Sequence, residues 1–173
     1  MDKLFVYVDG TARGDPGQAA IGVAITDKQG NVIEESGQLI GRATPIVAEY
    51  RALIEGCRLA HRHEPRSVIL FTHNQQLANH VNGVFDTRRP NLRHLVEEAK
   101  AQLNGFEQWR VNFVDRSANR RAPRLVERAY HHRIQAQVSR HRLEACLLAR
   151  TASLSEEDLQ RVIDFAEGLG RSE

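Results

Sequence analysis

The chain has 173 residues, 41% of them hydrophobic, and 24 lysines and arginines against 22 aspartates and glutamates give a net charge of +2. That size supports one substantial core with an appendage rather than two full domains, and the charge balance alone predicts no polyanionic partner. No apolar run approaches the roughly 20 residues of a membrane-spanning helix, and Met1-Asp2-Lys3 leads straight into a strand pattern rather than a signal peptide. A cytoplasmic protein with no membrane partner is expected.

Residues 3 to 9 form a nearly continuous run of β-formers, as in a strand covered on both faces, and place Asp9 at its end. Thr11 to Gly17 reads as a turn cluster. Ala20 to Thr26 is a second strand that turns through Asp27-Lys-Gln-Gly30 into a third, Asn31 to Leu39. A helix from Pro45 to Arg62 follows, then an apolar strand Ser67 to Thr72, a helix Asn74 to Val81 with Asn74 as N-cap, and a helix Asn91 to Leu103. Arg88 and Arg89 supply a short basic loop between the last two. Gln108 to Val114 is a fifth strand. Arg120 to Ala149 is a long helical stretch with Leu125, Ala129, Ile134 and Val138 as its stripe. Ser153-Leu-Ser-Glu156 resembles a capping box ahead of an amphipathic helix ending near Gly168 or Gly170. Cys57 and Cys146 fall inside helical patterns, where core filling is expected rather than a disulfide or metal cluster. The element order implies an α/β layer fold, a five-stranded mixed sheet flanked by helices, over residues 1–135 with a helical extension over 136–173.

Charge is unevenly distributed. From Arg110 to Arg150 ten arginines stand against Asp115, Glu127 and Glu144, a block suited either to phosphates or to a solvated helix face. Along the first long helix, Glu49, Leu53, Gly56 and Ala60 share one face, so Glu49 points with small apolar residues toward the sheet. A carboxylate there needs a cation or a metal, because an unpaired buried charge is costly. Asp9 on the neighbouring strand makes a divalent-metal site attractive, although Glu49 also suits a helix start and Asp9 an Asp-Gly turn.

Tyr7-Val-Asp-Gly-Thr-Ala-Arg-Gly-Asp-Pro-Gly17 with Ala20-Ile-Gly22, then Ala48-Glu49-Tyr50-Arg51-Ala52-Leu53 continuing to Gly56, resembles the ribonuclease H family of the type I and reverse-transcriptase-like kind. Gln75, Asn79 and Gly83 have the spacing of that family's third block, and Arg116, Asn119 and Ala122 that of its fourth. The resemblance covers residues 3 to 135. It implies a ribonuclease H-like fold and cleavage of the RNA strand of an RNA/DNA hybrid by two Mg²⁺ ions held by four carboxylates. Paired hard cations about 4 Å apart stabilise the attacking water and the departing oxygen.

Carried over by position, Asp9 is the bridging first carboxylate and Glu49 the second, the expected metal ligands. The third falls at His73, followed by Asn74, and the fourth at Pro123. Histidine suits Zn²⁺ or Mn²⁺ better than Mg²⁺, and proline offers no side-chain ligand. Nucleic-acid contacts are expected from Arg13, Gly14 and Gly17 in the early turn and from Arg116, Asn119, Arg120, Arg121 and Arg124. Pro45-Ile46 replace the family's hybrid-reading asparagines ahead of Glu49.

The expectation is a nucleic-acid-binding protein for RNA/DNA hybrid or duplex RNA, with a degenerate site, weak or absent nuclease activity, weak Mg²⁺ or Mn²⁺ binding and no organic cofactor. One alternative is an active endoribonuclease using His73 and a displaced acid, with Glu127, one turn after Pro123, as a possible ligand; Asp115 is a further candidate acid. Another is a protein-interaction scaffold, monomeric or homodimeric through the C-terminal helices, in which Leu143, Cys146, Leu147, Leu159, Val162, Ile163 and Phe165 pack on the parent domain or on a second copy.

Overall fold

A computed structural model of the chain describes residues 2–87 and 89–169. Arg88 of the basic loop and Gly170 as a helix end lie outside the described residues. Five strands, β1 (Lys3–Gly14), β2 (Gly17–Thr26), β3 (Val32–Ala43), β4 (Ser67–Thr72) and β5 (Gln108–Phe113), form one sheet in the order β3-β2-β1-β4-β5. The β1–β2 and β2–β3 pairs are antiparallel, whereas β1–β4 and β4–β5 are parallel. Hairpins close the first two pairs; the parallel pairs need the crossovers α1 (Pro45–His61), α2 (Gln75–Val81) and α3 (Pro90–Leu103). Two further helices, α4 (Arg121–Thr151) and α5 (Glu156–Leu169), complete the chain. It divides into two compact units, Met1–His131 and His132–Glu173.

The main core joins Leu4, Val6 and Val8 of β1 and Ile21, Val23 and Ile25 of β2 to Tyr50, Leu53 and Cys57 of α1, with Leu92, Val96 and Leu103 of α3. A second cluster, Ala20 with Val126, Ala129 and Tyr130, is built from the alternate β2 residues and the start of α4. The β2 residue on that face is small for a reason: a Cβ on Gly22 would lie 2.2 Å from the Ala122 carbonyl oxygen.

Several sequence expectations change. The first strand does not end at Asp9 but runs to Gly14, pairing Asp9 with Gly22 and Gly14 with Gly17, so the Thr11–Gly17 cluster is mostly hairpin strand. Polar residues and glycines hid this, because edge pairing supplies the ladder without an apolar pattern. β3 likewise extends to Ala43. Asn74 does cap α2, accepting from the Leu77 amide at 3.0 Å. The cap of α5 is Ser155, whose Oγ accepts from the Asp158 amide at 3.2 Å, not Ser153. Cys57 is buried, but Cys146 is exposed. The α4 stripe is buried only through Leu125, Ala129 and Tyr130; Ile134 and Val138 are exposed, as are Leu143, Leu147, Leu148 and Phe165. Among the described residues no helix is long and apolar enough to cross a membrane.

Candidate metal and nucleic-acid site

β1 and β4 stay paired from Lys3 and Ser67 to Tyr7 and Phe71. Two residues farther along the chain from each stand Asp9, still in β1, and His73, just past the end of β4, where the parallel pair has parted. This is the crevice outside the carboxyl ends of parallel strands, a recurrent ligand position in α/β sheets. Glu49 arrives from the other side, just past the first turn of α1. Thr44 caps that turn, its Oγ1 accepting from the Val47 amide at 3.4 Å, and Pro45 opens the helix. Gly10 permits the approach: a Cβ there would lie 2.3 Å from the Ala48 carbonyl carbon. The Asp-Gly step thus brings one acid within reach of the other.

Asp9 and Glu49 are each 5% exposed. His73 Nδ1 lies 3.1 Å from Asp9 Oδ1 and His73 Nε2 lies 3.2 Å from Glu49 Oε1. The short Nδ1–Oδ1 separation nevertheless lacks hydrogen-bond geometry, for both atoms are buried and unpartnered. Oε2 of Glu49 is unpartnered as well. Burial pushes the Glu49 carboxyl up to about 8, reinforced by the Asp9 charge and opposed by Arg116 and the Gly10 amide. Burial also raises Asp9, against the pull of His73, Arg116 and the Gly10 amide.

Beside Asp9 opens a cleft of about 360 Å³ lined by Thr11, Arg116, Arg120, Pro123, Arg124 and Glu127, among others. Pro123 stands here with no donor atom. Glu127 reaches the same cleft and pairs with Arg13 at 3.3 Å, both side chains more than half exposed. Asp115 is exposed, and its carbonyl accepts from the Ala118 and Asn119 amides. Two carboxylates and an imidazole gather in this crevice, and Pro123 adds no side-chain ligand to the cleft beside it. The set does not fit paired Mg²⁺, which is held at octahedral geometry by oxygen ligands.

The expected nucleic-acid contacts divide into two groups. Arg116, Arg120 and Arg124 meet at the cleft, and Arg121 lines a separate cavity while pairing with Glu35 at 3.6 Å. Arg13 is exposed, its guanidinium 4.0 Å over the Tyr130 ring. Gly14 is exposed at the hairpin tip, but Gly17 is buried, and a Cβ there would meet the Arg13 carbonyl oxygen at 2.0 Å. It closes the hairpin, paired with Gly14. Asn119 is fully buried at the floor of the cleft, and its Nδ2 donates to the Val8 carbonyl at 2.8 Å, tying the loop before α4 to the strand that carries Asp9.

Two participants escaped the sequence reading. Tyr130 donates its hydroxyl to the Gln18 carbonyl at 2.8 Å and stacks under Arg13, anchoring the hairpin to α4. Its position seven residues after Pro123, on the same helix face, was the available signal. His80 Nδ1 shares a 2.6 Å hydrogen bond in the interior with the hydroxyl of Tyr50, the residue that follows Glu49. No local pattern marks that pair, since it joins residues on α1 and α2.

A family profile described as reverse transcriptase-like matches residues 7–129. The ribonuclease HI of Halobacterium salinarum is 35% identical over 127 residues, 73% of this chain and 64% of that protein. The bifunctional protein Rv2228c of Mycobacterium tuberculosis is 33% identical over 128 residues, 73% of this chain and 35% of that protein. The chain thus spans less than two thirds of the length of either relative. The crystal structure of RNase H1 from H. salinarum superimposes with a TM-score of 0.73 at 35% identity, covering 75% of this chain and 98% of that one. LC11-RNase H1, isolated from compost by a metagenomic approach and solved with an RNA/DNA hybrid, gives 0.72 at 30% identity over 76% and 99%. The β3-β2-β1-β4-β5 sheet, the acids of β1 and α1, and a profile match running from Tyr7 to Ala129 place the chain in the ribonuclease H family, in its reverse transcriptase-like form.

Proposed function

We propose that the chain binds nucleic acid containing an RNA strand, an RNA/DNA hybrid or duplex RNA, and cleaves it weakly or not at all with Mg²⁺. The observation that carries this reading is the composition of the crevice: Asp9 and Glu49 converge there on His73, and Pro123 lines the adjoining cleft, at the two places where the family resemblance implies further acids. Removing half the anionic ligands removes half the charge that would hold two dications. Single electrostatic groups are worth roughly 10² to 10³ in rate, so a loss at least that large is expected. Binding needs none of these ligands. Arg116, Arg120 and Arg124 offer guanidinium forks at the cleft, and guanidinium contacts to phosphate give affinity without reading sequence.

The test pairs binding with cleavage. Fluorescence anisotropy on labelled hybrid, duplex RNA and duplex DNA should show affinity that falls linearly on logarithmic axes as salt rises, with a slope of about 0.9 per phosphate neutralised. Digestion of the same hybrid in Mg²⁺ and in Mn²⁺, with Asp9→Asn as control for contaminating nuclease, should show little product from the wild type. Strong Mg²⁺-dependent cutting that disappears in Asp9→Asn would reject this reading in favour of an active nuclease.

A further inference from the structure

The unpartnered atoms of the crevice form a set. Asp9 Oδ1, Glu49 Oε2 and His73 Nδ1 are buried, and none makes a hydrogen bond. An imidazolium locked between two carboxylates would aim its N–H groups at their oxygens. Here Nδ1 comes within 3.1 Å of Asp9 Oδ1 without doing so. One donor atom from each of the three residues lies within 4.8 Å of the others. Ligands at about 2.0–2.2 Å from one tetrahedral ion stand about 3.3–3.6 Å apart, so a separation as wide as 4.8 Å must close by about an ångström or more to convert the cluster into a coordination sphere.

We propose that Asp9, Glu49 and His73 bind one divalent first-row transition ion, with Mn²⁺ and Zn²⁺ preferred to Mg²⁺. The donor set decides the preference. Imidazole nitrogen suits zinc and its neighbours, whereas Mg²⁺ demands octahedral oxygen and sheds its water reluctantly. Two carboxylates and a neutral imidazole also balance one dication and no more. A second ion is opposed by charge, because Arg116 lines the cleft beside Asp9 and acts electrostatically on both acids. Substituting His73 for a carboxylate, on this account, changed the ion and the stoichiometry together. The inference goes beyond the nucleic-acid reading and holds whether or not a polymer binds.

Calorimetric titration of the full chain with Zn²⁺, Mn²⁺ and Mg²⁺ tests it without any activity measurement, alongside Mn²⁺ paramagnetic resonance and Co²⁺ visible absorption. One Mn²⁺ or Zn²⁺ per chain is expected, bound about tenfold or more tighter than Mg²⁺. Asp9→Asn should abolish the site, and His73→Asp should keep an ion while losing the preference for Mn²⁺ over Mg²⁺ by a similar factor. That second variant retains a ligand at the position, so a change in preference with unchanged circular dichroism is not a folding defect. Absence of binding, two ions per chain, or Mg²⁺ bound as tightly as Mn²⁺ overturns the proposal. So does Zn²⁺ binding that survives in both variants with its preference intact, which would assign it to exposed imidazoles such as His131, His132 and His141.

Discussion

The front and rear of α4 are made of similar residues and meet different fates. Ala122, Leu125, Val126, Ala129 and Tyr130 are buried, whereas every residue from His131 to Arg150 is exposed, including Ile134, Val138 and Leu148. What differs is the surface each half is offered. In front, Gly22 and Gly37 clear room on the sheet, where a Cβ would lie 2.2 Å and 2.5 Å from the carbonyl oxygens of Ala122 and Leu125. Helical periodicity states which residues share a face. Whether that face is covered depends on a neighbour that the helix does not encode.

The sharpest way to break this contrast is at Leu125, 4% exposed. Leu125→Ala should cost about 2–5 kcal/mol in denaturant unfolding, through lost contacts and the cavity left behind. A loss below about 1 kcal/mol would mean that the front half is not anchored as described.

Charge separates the two regions as well. The tail pair Arg140–Glu144 is exposed, while Glu49 is buried with its carboxyl pushed from 4.5 up to about 8. Because the folded value stands above the unfolded one, the native chain holds a proton that the unfolded chain releases across that window. Stability should therefore be greatest below about 4.5, as far as Glu49 is concerned, and fall as pH rises toward about 8. Glu49→Gln should flatten that portion of a Tm-against-pH curve and raise Tm at pH 8, whereas Glu144→Gln should leave the curve unchanged. A wild-type curve with no decline in this interval would contradict the burial of an uncompensated acid.

Smaller effects sharpen the same boundary. Tyr130 is the last buried residue of α4, and Tyr130→Phe should cost about 0.5–1.5 kcal/mol by leaving the Gln18 carbonyl without its donor. The change should leave Arg13 in place, since the ring on which it stacks is retained. Leu148→Ala, at 70% exposed, should move stability by less than about 0.5 kcal/mol. A larger change in a concentration-dependent assay would show that the rear half is covered in solution by something other than its own chain.

Local pattern settled much of the architecture: the β-formers of Lys3 to Val8, the Thr44-Pro45 start of α1 and the Asn74 cap of α2 are written in neighbouring residues, and so is the inward face of Glu49. The order Asp9, Glu49, His73 and Pro123 along the chain is equally legible. Tertiary structure alone decided that Asp9 lies inside a long hairpin strand, that Asn119 and Gly17 are buried, and that an imidazole faces both acids without bonding to Asp9. The physical reason is range. Propensity, capping and periodicity act within a few residues, whereas desolvation, coordination and close backbone approach depend on atoms brought together from distant parts of the chain.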